Sequence, residues 1–206
     1  MKLDNTPQLD FRDVLIRPKR TTLNSRSQVD LVRTIKFPNS TKTWKGVPII
    51  AANMDTTGTF GIYDVLSEYQ MITCLNKFYN LKDFKKRWES QPLNTDYFMI
   101  STGIDESNFS NLCDIIEFTN CKWLCVDIAN GYMEQLVTFC KKCRATWNDI
   151  IIVAGNVATR EMVEELIING GVDVVKVGIG PGSACLTRLK TGVGVPQLSA
   201  IMDCAD

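Results

Sequence analysis

The sequence predicts an α/β fold with a parallel sheet, because short apolar runs alternate with helical patterns of about ten residues from Val47 onward. Polar residues follow the ends of the predicted strands, as Asn53, Asp127 and Asn156 illustrate. A Rossmann sheet would carry G-x-G-x-x-G after its first strand, and the sequence has none there. Barrel enzymes build their sites from several strand ends at one face. We therefore predict a TIM-type (β/α)8 barrel with only about six of its eight βα units present.

The first 45 residues differ in composition from the rest of the chain. They are polar and rich in Arg, Lys, Thr and Ser, which is typical of extended or looped structure with short strands. We predict that residues 1–45 form an N-terminal extended segment that packs on the barrel. Residues 46–206 are predicted to form the partial barrel, with a glycine-rich loop that carries a cysteine at residues 178–195.

Hydrophobic periodicity places the individual elements. The run VPIIAAN is typical of a strand buried on both faces, and Pro48 is tolerated because it lies at the strand's start. Thr159 is a good N-cap for the helix that follows it, and Gly170 and Gly171 supply its end. The predicted strands cover residues 47–53, 71–75, 97–101, 123–127, 150–154 and 174–177. The predicted helices cover residues 63–69, 81–89 and 105–118, a stretch from residue 132 and a stretch from residue 160.

Composition excludes several classes of function. The chain has 23 basic and 23 acidic residues, so it lacks the basic excess of a protein that binds nucleic acid or a membrane surface. No apolar run approaches the roughly 20 residues of a membrane span, and the N-terminus lacks the apolar core of a secretory signal. We therefore expect a cytoplasmic protein with reduced thiols. The absence of histidine excludes Ser-His-Asp and Cys-His nucleophile systems.

Four of the eight cysteines have spacings that suggest a zinc site, namely Cys121 with Cys125 and Cys140 with Cys143. However, Cys121 and Cys125 flank a predicted strand in which four residues span about 13 Å, too far to share one tetrahedral ion. Cys140 continues the apolar stripe of its predicted helix. Buried or surface thiols are the preferred interpretation of all four.

The segment VGIGPGSACLTRLKTGVGVPQLSA carries the strongest chemical signal in the chain. Its glycines allow backbone N–H and C=O groups to approach a ligand closely, and the Ser183 hydroxyl can donate to a phosphate. Cys185 lies in this loop, where oriented amides together with Arg188 and Lys190 can stabilise a thiolate. We therefore predict that Cys185 is a nucleophile.

These residues resemble those of the IMP dehydrogenase and GMP reductase family, most specifically in the stretch GIGPGSACLTR. Three further stretches favour the reductase branch, namely DFRDVLIRPKRTTLNSRSQVDL, GVPIIAANMDTTGTF and KTGVGVPQLSAIMDCAD. The dehydrogenases usually carry a regulatory insert within the barrel, for which this chain has no room. The resemblance runs along the whole chain.

The resemblance implies an NADPH-dependent conversion of GMP to IMP and ammonia by a cytoplasmic homotetramer. Cys185 would attack C2 of the purine and form a covalent thioimidate as ammonia leaves. Hydride transfer to C2 would then release IMP. Thr187 corresponds to the threonine that takes part in proton transfer.

The resemblance also implies sites for the cofactor and for a potassium ion. The potassium ligands would be backbone carbonyl oxygens of Gly180, Gly182 and Cys185, together with Arg188, and such oxygens suit a hard cation. Contacts with NADPH are implied for Ser25, Arg26, Lys77, Asp127, Ile128, Ala129, Ile179 and Gly180. Without the resemblance, Asp127 is equally consistent with a helix cap and Lys77 with a solvated surface lysine.

Two alternative interpretations stay open at the level of the sequence. IMP dehydrogenase shares the cysteine adduct and differs in its fate, which is attack by water. The second alternative is an inactive or regulatory truncated homologue without the C-terminal substrate site, because an eight-stranded barrel takes about 250 residues and this chain has 206.

Overall fold

Six parallel strands form one curled sheet in the computed structural model, which describes residues 5–205. The residues at the outer ends of the two predicted ranges, 1–4 and 206, lie outside the described part of the chain. The sheet strands follow the chain order without exchange: β3 (Ile50–Ala51), β4 (Ile72–Leu75), β5 (Phe98–Thr102), β6 (Trp123–Asp127), β7 (Ile151–Val157) and β8 (Val174–Val177). Parallel strands in sequence order with helical crossovers are the signature of a β/α barrel, so the predicted fold class is confirmed.

Helices cover one face of the sheet. They are α1 (Phe60–Glu68), α2 (Leu81–Ser90), α3 (Phe109–Thr119), α4 (Glu134–Thr146) and α5 (Arg160–Glu164), the last of which continues as a π-helical turn over Glu165–Asn169. Alternate residues of the strands, such as Leu124 and Val126, are fully buried beneath these helices together with Phe84 and Leu136. Two further helices, α6 (Thr187–Thr191) and α7 (Gln197–Ala205), follow β8. Within residues 5–205, no helix has the length and apolar character that a membrane span needs.

The N-terminal segment packs against the opposite, inner face of the sheet at the amino-terminal end of the strands. An antiparallel hairpin of β1 (Arg33–Lys36) and β2 (Thr43–Gly46) carries Trp44, which is 3% exposed. The Trp44 and Phe37 rings each meet the ring of Trp123 edge to face, with centroids 5.9 and 5.2 Å apart. The Trp44 indole N–H donates to the carbonyl of Asp96 at 2.8 Å. The hairpin thus closes the amino-terminal end of the strands and leaves their carboxyl ends open.

A buried ion pair ties the same end of the sheet together. Arg144 of α4 donates from Nη2 to Asp173 Oδ2 at 2.6 Å, and the Asp173 side chain is fully inaccessible to solvent. The backbone N–H of Ile152 donates to the same oxygen at 2.9 Å, and that of Asn39 donates to Asp173 Oδ1 at 2.9 Å. One carboxylate therefore connects a helix, β7 and the loop of the N-terminal hairpin.

The boundaries of several elements differ from their predictions. The predicted strand 47–53 is reduced to Ile50–Ala51, because Pro48 offers no N–H and the N–H of Val47 is taken by the carbonyl of Gln70. In contrast, β7 extends to Val157, three residues beyond its predicted end, since it pairs with neighbours on both sides. The predicted loop 178–195 contains the short helix α6.

Two asparagines at the N-cap positions of helices give a matched test of local stability. Asn80 accepts hydrogen bonds from the backbone N–H groups of Lys82 and Asp83 at the start of α2, whereas Asn108 at the start of α3 makes no side-chain cap bond. We expect Asn80→Ala to lower the free energy of unfolding by about 1 kcal/mol. Asn108→Ala should change it by only a few tenths of a kcal/mol by the same reasoning. Urea unfolding followed by circular dichroism measures both values, and equal losses would contradict this account of α2.

Candidate functional site

Four polar side chains meet at the open, carboxyl end of the sheet, three from β6, β7 and β8 and one, Asn53, from the segment just after β3. Asp127 Oδ2 accepts from Asn53 Nδ2 at 2.6 Å, and Asp127 Oδ1 accepts from Asn156 Nδ2 at 3.1 Å. Lys176 Nζ lies 3.2 Å from Asp127 Oδ1 and donates to Asn53 Oδ1 at 3.1 Å. We call Asn53, Asp127, Asn156 and Lys176 the rim network. It unites residues that are up to 123 positions apart in the sequence.

The rim network is partly shielded from water, and this shielding strengthens the attraction between the charges of Lys176 and Asp127. The side chains of Lys176 and Asp127 are 30% and 22% exposed. Burial by itself lowers the pKa of Lys176, but the neighbouring Cys125 and Asp127 raise the pKa by more, and the net shift is upward. Lys176 is therefore a charged ammonium at neutral pH and holds Asp127 in a fixed orientation.

The alternation of the strands explains why Lys176 faces inward. Its register partner on β7 is Gly155, and a Cβ at that position would lie 2.5 Å from the Lys176 carbonyl oxygen. Gly155 therefore permits the close approach of β7 and β8 at this point. Two positions earlier on β8, Val174 packs on the inner apolar cluster, so Lys176 marks the level at which the interior changes from apolar to polar.

The loop that follows β8 carries the exposed thiol of Cys185. Cys185 Sγ lies 3.3 Å from Thr187 Oγ1, within hydrogen-bond distance. Hydrogen bonds from the Thr187 hydroxyl and backbone lower the pKa of the Cys185 thiol, and the charge of Arg188 lowers it further. A thiolate that is both accessible and stabilised is the chemical form that a nucleophile needs.

Arg188 holds the two ends of this loop together. Its Nε donates to the carbonyl of Ile179 at 3.1 Å, and its Nη2 donates to the carbonyl of Val195. The loop leaves β8 through Gly178 and Gly180, whose φ angles of +130° and +64° are unfavourable for other residues. From the sequence, Arg188 is expected to stabilise the thiolate and to belong to a metal site, but its contribution to the loop's conformation is not predicted.

Other predicted cofactor residues lie at the same end of the sheet. Lys77 follows β4 and is exposed, and it lines a cavity of about 510 Å³ together with Ser101 and Asp105. Ile128 directly follows Asp127, and its N–H and C=O groups bond to Gly155 and Asn156 of β7. Ala129 is exposed beside it, and Ile179 and Gly180 begin the cysteine loop.

Ser25 and Arg26 are not brought to this end of the sheet by any contact within the described residues. Both are exposed, and they belong to a short 3-10 turn over Arg26–Gln28. Their hydrogen bonds within residues 5–205 are local, such as that from the Ser27 N–H to Ser25 Oγ at 3.2 Å. Ser183 is likewise exposed, close to Cys185 in the sequence.

The possible metal ligands in the loop are carbonyl oxygens. Among residues 5–205, no group of three or more His, Cys, Asp or Glu side chains could hold a metal ion. The Gly182 carbonyl accepts from the Cys185 N–H at 3.0 Å, and the Arg188 carbonyl accepts from the Gly192 N–H at 3.0 Å. Each of these oxygens keeps a second lone pair, so the donor chemistry fits a hard monovalent cation.

The four cysteines considered for zinc are buried thiols in the hydrophobic core. Burial raises the pKa of Cys121 to about 12 and that of Cys140 to about 12, and it also raises the pKa of Cys143. Thiols in this state are poor metal ligands, because the thiolate is the form that binds. Cys185 is the exposed cysteine among the described residues.

Two polar residues near the site escaped the sequence reasoning. Lys176 is a charged residue at an inward position of an otherwise apolar strand, and that mismatch was a signal that the sequence offered. Asp10 accepts a hydrogen bond from Gln197, just after the cysteine loop, across a separation of 187 residues. The local sequence around Asp10 gives no indication of this contact.

Removal of the Thr187 hydroxyl is expected to make Cys185 less reactive. In Thr187→Val the side-chain hydrogen bond, the largest cause of the lowered pKa of the thiol, is lost while the backbone hydrogen bond remains, so the pKa rises and the thiolate fraction at neutral pH falls. The rate of iodoacetamide alkylation, followed by peptide mass spectrometry, should drop several-fold at neutral pH, with its midpoint moved to higher pH. Thr187→Ser keeps the hydroxyl and should retain the parent profile. Identical profiles for the valine variant and the parent would contradict the assigned hydrogen bond.

Comparisons with known proteins extend along nearly the whole chain. Residues 8–206 match the family model for the IMP dehydrogenase / GMP reductase domain. The chain is 51% identical over 205 residues to GMP reductase 2 of Homo sapiens, and 50% identical over 208 residues to GMP reductase of Buchnera aphidicola subsp. Baizongia pistaciae. These alignments cover 99% and 100% of the chain and 59% of each relative.

A solved structure has the same fold. The crystal structure of inosine 5'-monophosphate dehydrogenase from Legionella pneumophila superposes with a TM-score of 0.81 at 28% identity. The match covers 97% of this chain and 59% of that structure. The chain thus spans about 59% of the length of each of these three proteins.

Proposed function

The chain belongs to the IMP dehydrogenase / GMP reductase family, and on that premise we propose that it contributes the cysteine site of an NADPH-dependent GMP reductase. The reaction is the reductive deamination of GMP to IMP and ammonia. The observation that carries the proposal is the exposed Cys185 thiol, with its pKa lowered by Thr187, on a loop directly after the strand that holds Lys176. Relatives at 51% and 50% identity are named GMP reductases, which favours this activity over that of the dehydrogenase.

The proposed chemistry starts at the Cys185 sulfur. The Cys185 thiol releases its proton and the thiolate attacks C2 of the purine. The bond from C2 to the amino nitrogen breaks, and the nitrogen takes up one proton from the medium, equal to the one that the thiol released, and leaves as ammonia. The product is a thioimidate between Cys185 and C2. Thr187 stabilises the thiolate by a hydrogen bond before the attack. It forms the same hydrogen bond to the thiolate that is released when the bond from sulfur to C2 breaks. Ser183 is exposed on the same loop, and in this proposal its hydroxyl donates to the phosphate of the nucleotide.

The rim network suits a site for the nicotinamide cofactor. When bound, the cofactor supplies the hydride that replaces sulfur at C2. The network presents fixed amide and carboxylate groups at the open end of the sheet, and Lys77 adds a cation in the neighbouring cavity. A mixture of hydrogen-bonding groups and an ammonium fits the amide, hydroxyl and phosphate groups of a dinucleotide. The preference for NADPH over NADH comes from the resemblance to the reductases.

A potassium ion is proposed at the carbonyl oxygens of Gly180, Gly182 and Cys185 with Arg188. The Arg188 guanidinium is already bonded to the carbonyls of Ile179 and Val195, so its backbone carbonyl is the group that would contribute. When bound, the ion would hold the loop carbonyls together.

A second proposal concerns the 206-residue polypeptide made on its own. Strands β3 and β8 each pair with one neighbour in the described structure, and the face that carries Cys185 is exposed. A substrate held at this face would be enclosed on one side only. We therefore expect the isolated polypeptide to turn over GMP slowly, and a role without turnover is the alternative function.

A chimera tests the reductase proposal. The chain is fused to the part of human GMP reductase 2 that lies beyond the alignment, so that the barrel has its remaining units. We expect oxidation of NADPH by the chimera that depends on GMP, followed at 340 nm by the absorbance that is characteristic of reduced nicotinamide, and little by the 206-residue polypeptide. A chimera that melts cooperatively and oxidises no NADPH with GMP would contradict the proposal.

A further inference from the structure

Two residues of the N-terminal segment bind the region where the cysteine loop ends. The N–H of Leu9 donates to Ser199 Oγ at 2.8 Å, and the N–H of Ser199 donates to the carbonyl of Leu9 at 3.1 Å. Asp10 Oδ1 accepts from the backbone N–H of Gln197 at 2.5 Å. Gln197 and Ser199 lie at the start of α7, immediately after the loop. The N-terminal segment is therefore hydrogen-bonded to the residues that directly follow the loop.

The second carboxylate oxygen of Asp10 reaches the loop itself. Asp10 Oδ2 lies 3.5 Å from Arg188 Nη1. Arg188 in turn bonds to the carbonyls of Ile179 at the beginning of the loop and Val195 near its end. The side chains of Arg188 and Asp10 are 28% and 25% exposed, so this pair is more shielded than an ordinary surface pair. A single carboxylate thus connects both ends of the loop.

Gln197, which is bonded to Asp10, also contacts the residues at which the loop leaves the sheet. Its Nε2 donates to the carbonyl of Val177, the last residue of β8, at 2.9 Å. Its amide lies against Gly178, where an added Cβ would be 2.5 Å from Gln197 Oε1. Asp10 itself is held by a hydrogen bond from its N–H to Asp13 Oδ2 at 2.8 Å. The contacts of Asp10 and Gln197 therefore join the N-terminal turn, β8 and the start of α7.

We propose that Asp10 is a positioning residue for the cysteine loop, acting through Arg188 and Gln197 to hold the conformation that presents Cys185. Asp10 itself touches none of the reacting atoms. Through Asp10, the N-terminal segment thereby restrains the conformation of the cysteine loop. The inference rests on the proposed function only in taking Cys185 as the nucleophile, and the restraint on the loop exists whichever substrate is used.

Hydrogen exchange of the loop amides tests this proposal directly in the full chain. In Asp10→Ala both contacts are lost, and we expect amides of residues 178–195 to exchange about tenfold faster, while those of β6 keep the parent rates. Asp10→Asn keeps an acceptor for the Gln197 N–H and should show a smaller increase. Asp10→Glu restores the charge and should recover most of the protection. Asp30→Asn is the matched control, because the Asp30 carboxylate accepts only from the nearby N–H of Val32 in the described structure, and Arg33 donates to the Asp30 backbone carbonyl.

A double-mutant cycle tests whether Asp10 acts through Arg188. In an Arg188→Gln background, Asp10→Asn should add less than about a twofold increase in loop exchange, because the partner of the charge is already absent. In the chimera, Asp10→Ala should lower kcat, and Asp10→Glu should recover most of it.

Two results would overturn the positioning role. They are unchanged loop exchange in Asp10→Ala, and an equal acceleration of loop and β6 amides, which indicates general destabilisation. These results are separable from failure of the proposed function, which would appear as turnover that survives loss of Cys185 while the loop exchange behaves as expected.

Discussion

Replacement of Cys185 by alanine is expected to lower kcat/KM for GMP by roughly 10³-fold or more in the completed barrel. The reason is that the proposed displacement of ammonia requires a covalent bond from sulfur to C2, and Cys185 is the exposed thiol of the described chain. Removal of a nucleophile leaves only the contribution of binding and orientation to the rate. Initial rates of GMP-dependent NADPH oxidation measure the effect.

Cys113→Ala is the matched control for this experiment. Cys113 lies on α3, on the helical layer of the fold, and burial raises the pKa of its thiol. We expect this variant to keep the activity of the parent chimera. If Cys185→Ala kept substantial activity, or if both alanine variants lost activity equally, the assignment of the nucleophile would be wrong.

Loss of the Asp173 carboxylate is expected to cost about 3–5 kcal/mol of unfolding free energy. In Asp173→Ala the guanidinium of Arg144 loses its partner at 2.6 Å, and the N–H groups of Ile152 and Asn39 lose their acceptor. The positive charge of Arg144 and the N–H groups of Ile152 and Asn39 are then left without this hydrogen-bond acceptor in or near the interior. Such groups carry most of the cost when one member of a buried pair is removed. Urea unfolding at neutral pH gives the value.

The Arg87–Asp64 pair offers a control with similar atoms and different exposure. Arg87 Nη2 lies 2.5 Å from Asp64 Oδ1, but the Asp64 side chain is 49% exposed, whereas that of Asp173 is fully buried. In Asp64→Ala the guanidinium of Arg87, whose side chain is 11% exposed, keeps its hydrogen bond to the carbonyl of Gln91 at 2.7 Å. We therefore expect Asp64→Ala to cost at most about 1 kcal/mol. A loss from Asp173→Ala no larger than this would contradict the role assigned to the buried carboxylate.

The fold was largely accessible from the sequence because its main signals are local. The strand Trp123–Asp127 was predicted with the observed bounds, since a continuous apolar run between polar residues is typical of a strand buried on both faces. The first sheet strand was predicted too long, because Pro48 and the bond of Val47 to Gln70 interrupt the ladder. The bond to Gln70 is not encoded in the pattern around Val47.

The sequence predicted the parts of the site that lie in a contiguous motif or directly at strand ends, such as Asn53, Asp127 and Asn156 of the rim network. Cys185 and Thr187 belong to one short stretch, and the structure places their side chains within hydrogen-bond distance. Lys176 and Asp10 escaped prediction, because Lys176 gains its role from a strand pairing and Asp10 from a contact 187 residues away. Both contacts depend on the closure of the fold, which hydrophobic periodicity does not report.

In the proposed reaction Cys185 forms a covalent bond to the purine and displaces its amino group. The most direct measurement is intact-protein and peptide mass spectrometry of the chimera after incubation with GMP in the absence of NADPH, together with an assay of the ammonia released. We expect one nucleotide bound at the peptide that contains Cys185, one equivalent of ammonia for each adduct, and release of IMP when NADPH is added. Conversion of GMP to IMP without any adduct at Cys185, or the same conversion in Cys185→Ala, would contradict the claim.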